Sequence, residues 1–129
     1  MLLKLKKDLT PIRDAALARI DREAEATRGI FMTLGSGQAM VYDQKRDEAE
    51  NFMRDQDINH GEIPHLVAEA AMNQITLFDQ AVIYLTMRQQ WLTVSPMIED
   101  RRLAAKAAVS LAMTPAEIEA AATVDWKLF

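Results

Sequence analysis

Hydrophobic positions in this chain recur at three- and four-residue steps and only rarely alternate. Ile12, Ala16, Ile20 and Ala24 keep a four-residue step, with Leu17 one position round. This is the spacing of one helix face. The opposite face carries Arg13, Arg19, Arg22, Glu23, Glu25 and Arg28, with Arg19/Glu23 and Glu25/Arg28 at helical pairing distance. Thr10-Pro11 supplies a capping threonine and a proline for the first turn, so a helix is expected from there to about Met32 or Thr33. Gly35 and Gly37 break the pattern and mark a helix–helix turn. As a phosphate loop the pair lacks both the terminal Gly-Lys-Ser/Thr and a preceding strand. A second helix follows over about residues 38–55, with Val41, Lys45, Ala49 and Phe52 as its stripe and Tyr42 and Met53 beside it. Lys45 within that stripe can lay its methylenes on apolar surface.

Pro64 starts a short helix to about Asn73, and the longest periodic stretch occupies residues 76–113. Thr76 and Asp79 have capping-box character, and Leu77, Phe78, Ala81, Leu85 and Leu92 predict its buried face. Pro96 bends this helix or divides it in two, with Ser95 capping the second piece. The β-preferring run of residues 81–87 leaves a buried strand as the rival reading. Thr114-Pro115-Ala116-Glu117 is a full capping box and starts a last short helix to about Ala122, after which Val124 and Trp126 fold back over the bundle end. The expectation is an all-α protein of four to five helices, built as hairpins around the long one. It comprises an N-terminal arm, residues 1–9, and a single helical domain, residues 10–129.

Composition narrows the chemistry. The 129 residues include no cysteine, which excludes disulfides and thiolate metal sites. Fifteen basic against nineteen acidic residues give net −4, the wrong sign for a general nucleic-acid binder. No uncharged stretch approaches the ~18 residues of a membrane span, and no secretory signal is recognisable. His60, Glu62 and His65 can ligate zinc in principle, but their spacing is not that of a metalloprotease helix. No Ser/His/acid order stands out. No catalytic residue, cofactor or metal is therefore expected. The helix pair of residues 64–88 has helix-turn-helix proportions, so a DNA-binding regulator is the alternative reading. Its second helix begins Leu77, Phe78, Asp79, Gln80, with no basic residue before Arg88, which argues against phosphate contacts. Trp91 and Trp126 are candidate anchors of contacts between elements. The alanines at 104, 105, 107 and 108 permit close helix approach, within one chain or in a homo-oligomer.

Gly37-Gln38, Val41-Tyr42, Lys45 and Glu48-Ala49 read G-Q-x-x-V-Y-x-x-K-x-x-E-A. With the upstream alanine-rich helix and the downstream T-P-A-E-I-E-A-A-x-x-V-D-W, residues 10–126 resemble small helical proteins encoded beside tail genes in bacteriophages and prophages. The resemblance implies a virion component or an accessory of tail or tail-fibre assembly. It would work through protein–protein contacts in the host cytoplasm, or within the particle. Gln38, Tyr42 and Lys45 are the positions that match the pattern, and it carries no catalytic residue.

Overall fold

A computed structural model describes residues 8–33 and 35–129. Of the expected N-terminal arm, residues 1–7 lie outside the described residues. The described chain forms five α-helices, α1 (Thr10–Phe31), α2 (Ser36–Arg54), α3 (Pro64–Asn73), α4 (Leu77–Leu111) and α5 (Pro115–Ala122), and one 3-10 turn at His60–Glu62. No strand occurs among the described residues, and 81–87 lie within α4.

The local signals act much as the residue types dictate. Thr76 Oγ1 accepts from the Asp79 N–H at 3.0 Å, so the first turn of α4 is capped as expected. At α5, Thr114 Oγ1 accepts from the Glu117 N–H at 3.1 Å, and the Glu117 carboxylate reaches back to the Met113 N–H at 2.6 Å. The start of α1 differs in detail. Thr10 is already helical, and the Asp8 carboxylate accepts its N–H at 2.9 Å. Gly35 precedes α2 with φ 125°, a conformation that disfavours any side chain. Gln74 closes α3 in the left-handed region (φ 56°), and the Ile75 N–H returns to the Ala70 carbonyl at 3.1 Å. Helix α4 continues through Pro96 as one element of 35 residues.

These helices divide into two compact units. One comprises Met1–Phe31 and Val94–Phe129, the other Met32–Thr93. In the first, the expected stripe of α1 is buried: Ala16, Ile20 and Ala24 meet Val94, Ile98, Ala105 and Val109 of α4, and Ile118 and Ala122 of α5. Val124 and Trp126 fold back onto this core, as their position after α5 suggested, and Trp126 touches both of its clusters. Charged residues on the flank of α1 reach across to α4. Asp21 lies 2.8 Å from Arg102 and 3.0 Å from Lys106, and Arg28 lies 3.2 Å from Glu99. Trp126 Nε1 donates to Glu23 at 3.0 Å, and Glu23 also holds Arg19 at 2.9 Å.

In the second unit Ala49 and Phe52 of α2, Ile63, Leu66 of α3, and Ala81 and Tyr84 of α4 form the core, flanked by Met53, Ile58, Val67, Leu77 and Leu85. Here the expected face of α4 is rotated. Leu77, Ala81 and Leu85 do face the core, but Phe78 is 46% and Leu92 49% exposed, while Gln80 is only 2% exposed. Gln80 tolerates this burial because its carbonyl accepts from Asn73 Nδ2 at 2.8 Å.

The first unit makes a pH prediction. The bond from Lys106, with that from Arg102, holds the Asp21 carboxyl below its usual range, and the bond from Trp126, with that from Arg19, does the same for Glu23. A depressed folded-state pKa stabilises above the unfolded value and is lost as pH falls through the folded one. Melting temperature should therefore hold from neutral pH to about pH 5 and fall below it. The Asp21→Asn/Glu23→Gln variant should start lower at neutral pH and lose less on acidification. Thermal melts between pH 7 and pH 2 read both trends, and parallel curves for the two proteins would contradict them.

Candidate functional site

The Met32–Thr93 unit holds the only network of titratable side chains that spans three helices among the described residues. Lys45 and Glu48 stand one turn apart on α2, and His65 and Glu69 one turn apart on α3. Tyr84 projects from α4 between them. Glu48 is buried, and both its oxygens are used: Oε1 accepts from the Leu66 N–H at 3.1 Å, and Oε2 lies 2.6 Å from His65 Nδ1. A carboxylate only accepts, so the hydrogen of this bond sits on His65 Nδ1. The Leu66 N–H is one of the unpaired donors of the first turn of α3, which makes Glu48 a cap supplied by a neighbouring helix.

Glu69 receives the Tyr84 hydroxyl and lies 3.1 Å from Lys45 Nζ. The Lys45 ammonium also sits over the Tyr84 ring, 5.2 Å from its centroid. The Tyr84 oxygen is 3.3 Å from the His65 carbonyl, which ties α4 to the backbone of α3. Burial pushes the Glu69 carboxyl up, but the bonds from Tyr84 and Lys45 outweigh it and leave the group below its ordinary range. Burial and then the bond to Glu69 push the Tyr84 phenol well up, so it stays protonated at neutral pH.

An imidazole held at Nδ1 by a buried carboxylate is the arrangement of a general base. Covalent catalysis also needs a nucleophile within reach, and among the described residues no serine or threonine hydroxyl bonds to this network. No group of three or more His, Asp or Glu is placed to hold a metal among the described residues. His60 and Glu62 sit exposed on the 3-10 turn, while the Nδ1 of His65 is turned to Glu48. The network's demonstrable work is to tie α2, α3 and α4 together.

The residues singled out in the sequence are dispersed. Lys45 belongs to the network. The Tyr42 hydroxyl accepts from the Thr33 N–H at 2.9 Å, fastening the turn before α2, and Gln38 is exposed on the first turn of α2. Trp91 is half-buried on α4, and Trp126 belongs to the other unit. Of the four alanines, Ala105 is buried against α1 and α5, whereas Ala104, Ala107 and Ala108 are exposed.

The second feature is the outer flank of α4. Phe78, Val82, Thr86 and Gln90 follow a four-residue ridge, with Asp79, Ile83 and Met87 on the next, and all seven are exposed. Val82, Leu85, Thr86, Gln89, Gln90 and Thr93 line an open groove along the helix. Sequence periodicity places Phe78 on the buried face, whereas the fold turns it outward. The rotation follows from burying Gln80 and Tyr84, whose polar ends find partners on α3. No helix among the described residues is long and apolar enough to cross a membrane.

The network predicts graded destabilisation. Glu48→Ala strands the Leu66 N–H and the His65 ring and should cost about 2–3 kcal/mol. Tyr84→Phe, which keeps the ring and removes the hydroxyl, should cost about 1 kcal/mol. Urea unfolding followed by circular dichroism measures both, and an unchanged midpoint for Glu48→Ala would show that the network is dispensable.

Set against known proteins, the chain matches no protein-family model, no curated protein and no solved structure.

Proposed function

We propose that this chain is a non-enzymatic interaction protein whose contacts serve phage tail or tail-fibre assembly. The observation that supports an interaction role is the bare flank of α4, where Phe78, Val82, Ile83 and Met87 are 40–46% exposed within two turns and a half of helix. Contiguous apolar groups left in water mark contact surfaces in soluble proteins. The phage setting rests on the resemblance of residues 10–126; of its matching positions, Tyr42 and Lys45 tie down α2, and Gln38 lies exposed on its first turn. The protein acts in the host cytoplasm during assembly or stays in the particle, and it needs no cofactor. The DNA-reading alternative is weakened by the surface a second helix would offer. Phe78, Asp79, Val82 and Ile83 carry no positive charge, and Arg88 is partly buried.

Affinity capture of the tagged chain from phage-producing cells, with mass spectrometry of what co-purifies, tests the reading. Tail or tail-fibre chains are the expected companions, and a chain retained in purified particles is a virion component. Recovery with duplex DNA and no virion chain would overturn the proposal.

Self-association is a second, separable part of it, supported by the exposed Leu103, Ala104, Ala107 and Ala108 on α4. Light scattering should give a mass above that of one chain that rises with concentration. A single-chain mass over a wide range would remove the oligomer and leave the assembly reading standing.

A further inference from the structure

The flank of α4 in the Met32–Thr93 unit joins an uncharged, partly apolar groove to a unit of net negative charge. We infer that it docks a basic amphipathic helix of another protein, an inference that rests on the interaction reading above and names the partner's chemistry.

Shape comes first. The flank carries exposed four-residue ridges and an open groove on the same helix, the kind of surface on which another helix lays its own ridge. The groove mixes Val82 and Leu85 with Thr86, Gln89, Gln90 and Thr93, all uncharged. An apolar stripe on the partner would cover the first pair, and short polar side chains would satisfy the rest. Asp79 is the single exposed charge on α4 between Leu77 and Thr93.

Charge selects among helices. The unit contains nine Asp and Glu against four Lys and Arg, net −5, although the whole chain is only −4. Its cations are already engaged or sheltered. Lys45 pairs with Glu69, Arg46 with Asp47, Arg54 bonds to Asn51, and Arg88 is partly buried. Asp43, Glu50, Asp55, Asp57, Glu62 and Asp79 are exposed and form no ion pair among the described residues. A field of one sign steers an opposite charge and rejects a like one. A second copy docking on this flank would bring −5 against −5. An acidic helix would fare no better. A helix with leucine-type residues on one side and lysine or arginine along its margins satisfies both the groove and the field.

The test uses the full chain and two synthetic helices of about 18 residues with the same leucine stripe, one carrying lysine and the other glutamate at its polar positions. Calorimetric titration should show the Leu/Lys helix binding at least about tenfold tighter than the Leu/Glu helix, with the difference shrinking as salt is raised. Val82→Gln/Ile83→Gln, which removes apolar contact without altering charge, should weaken the Leu/Lys helix by about tenfold or more. Its circular dichroism and melting temperature confirm that it remains folded. Equal binding of the two helices, binding of neither, or Leu/Lys binding untouched by the double substitution would each overturn the inference. Capture of a tail chain that meets this flank with an acidic or neutral surface would sink this inference and keep the broader one.

Discussion

A helix of 35 residues is about 52 Å long, and nothing else in the described chain approaches that length. Its partners have 22, 19, 10 and 8 residues. Within one unit α2 and α3 pack on the stretch before Thr93, and within the other α1 and α5 pack on the stretch after it. That mismatch is the constraint on which the rest depends. It places the core at Ala81 and Tyr84 in one unit and at Val94, Ile98, Ala105 and Val109 in the other. Within the Met32–Thr93 unit, Phe78, Val82, Ile83 and Met87 of α4 stay exposed. Those exposed residues are the observation on which the proposed interaction role rests.

The polar network bears on the same flank indirectly. Burying the Glu48 carboxylate is unfavourable unless its oxygens are bonded, and both are. Tyr84 and Gln80 turn inward because Glu69, the His65 carbonyl and Asn73 give their polar ends partners. With those two side chains committed to the interior, Phe78, Val82 and Ile83 have only the outer side left. The network thus acts as a positioning device for the exposed ridge. Its carboxylates and imidazole resemble catalytic groups in type, and their bonds join α2, α3 and α4.

Much of the fold was legible because local chemistry governs it. The threonine caps at 76 and 114, the prolines at 64 and 115, and the four-residue step from Ile12 to Ala24 depend on neighbours within one turn. What was not legible depends on residues far apart in the chain. Burial of Gln80 cannot be read from a hydrophobicity ranking that places Phe78 and Leu92 above it; it requires knowing that Asn73 faces it across the α3–α4 turn. Glu48 and His65 are 17 residues apart and Glu69 and Tyr84 are 15 apart, so no helical spacing links them. In the sequence His65 stands out by its metal-ligating chemistry, whereas in the fold its Nδ1 faces Glu48. The sequence allows Pro96 either to bend α4 or to divide it, and in the fold α4 continues through it. A proline removes one backbone donor but permits continuation where flanking turns are packed, as they are by Val94 and Ile98.

The most direct test of the account replaces Val82 by a photo-crosslinking phenylalanine derivative in phage-producing cells, with exposed Gln44 of α2 as the control position. Illumination should give a covalent adduct from position 82, containing a basic helical segment of a tail or tail-fibre chain, and none from position 44. No adduct at 82, or equal adducts at both positions, would contradict the claim that the bare flank of α4 is the working surface of this protein.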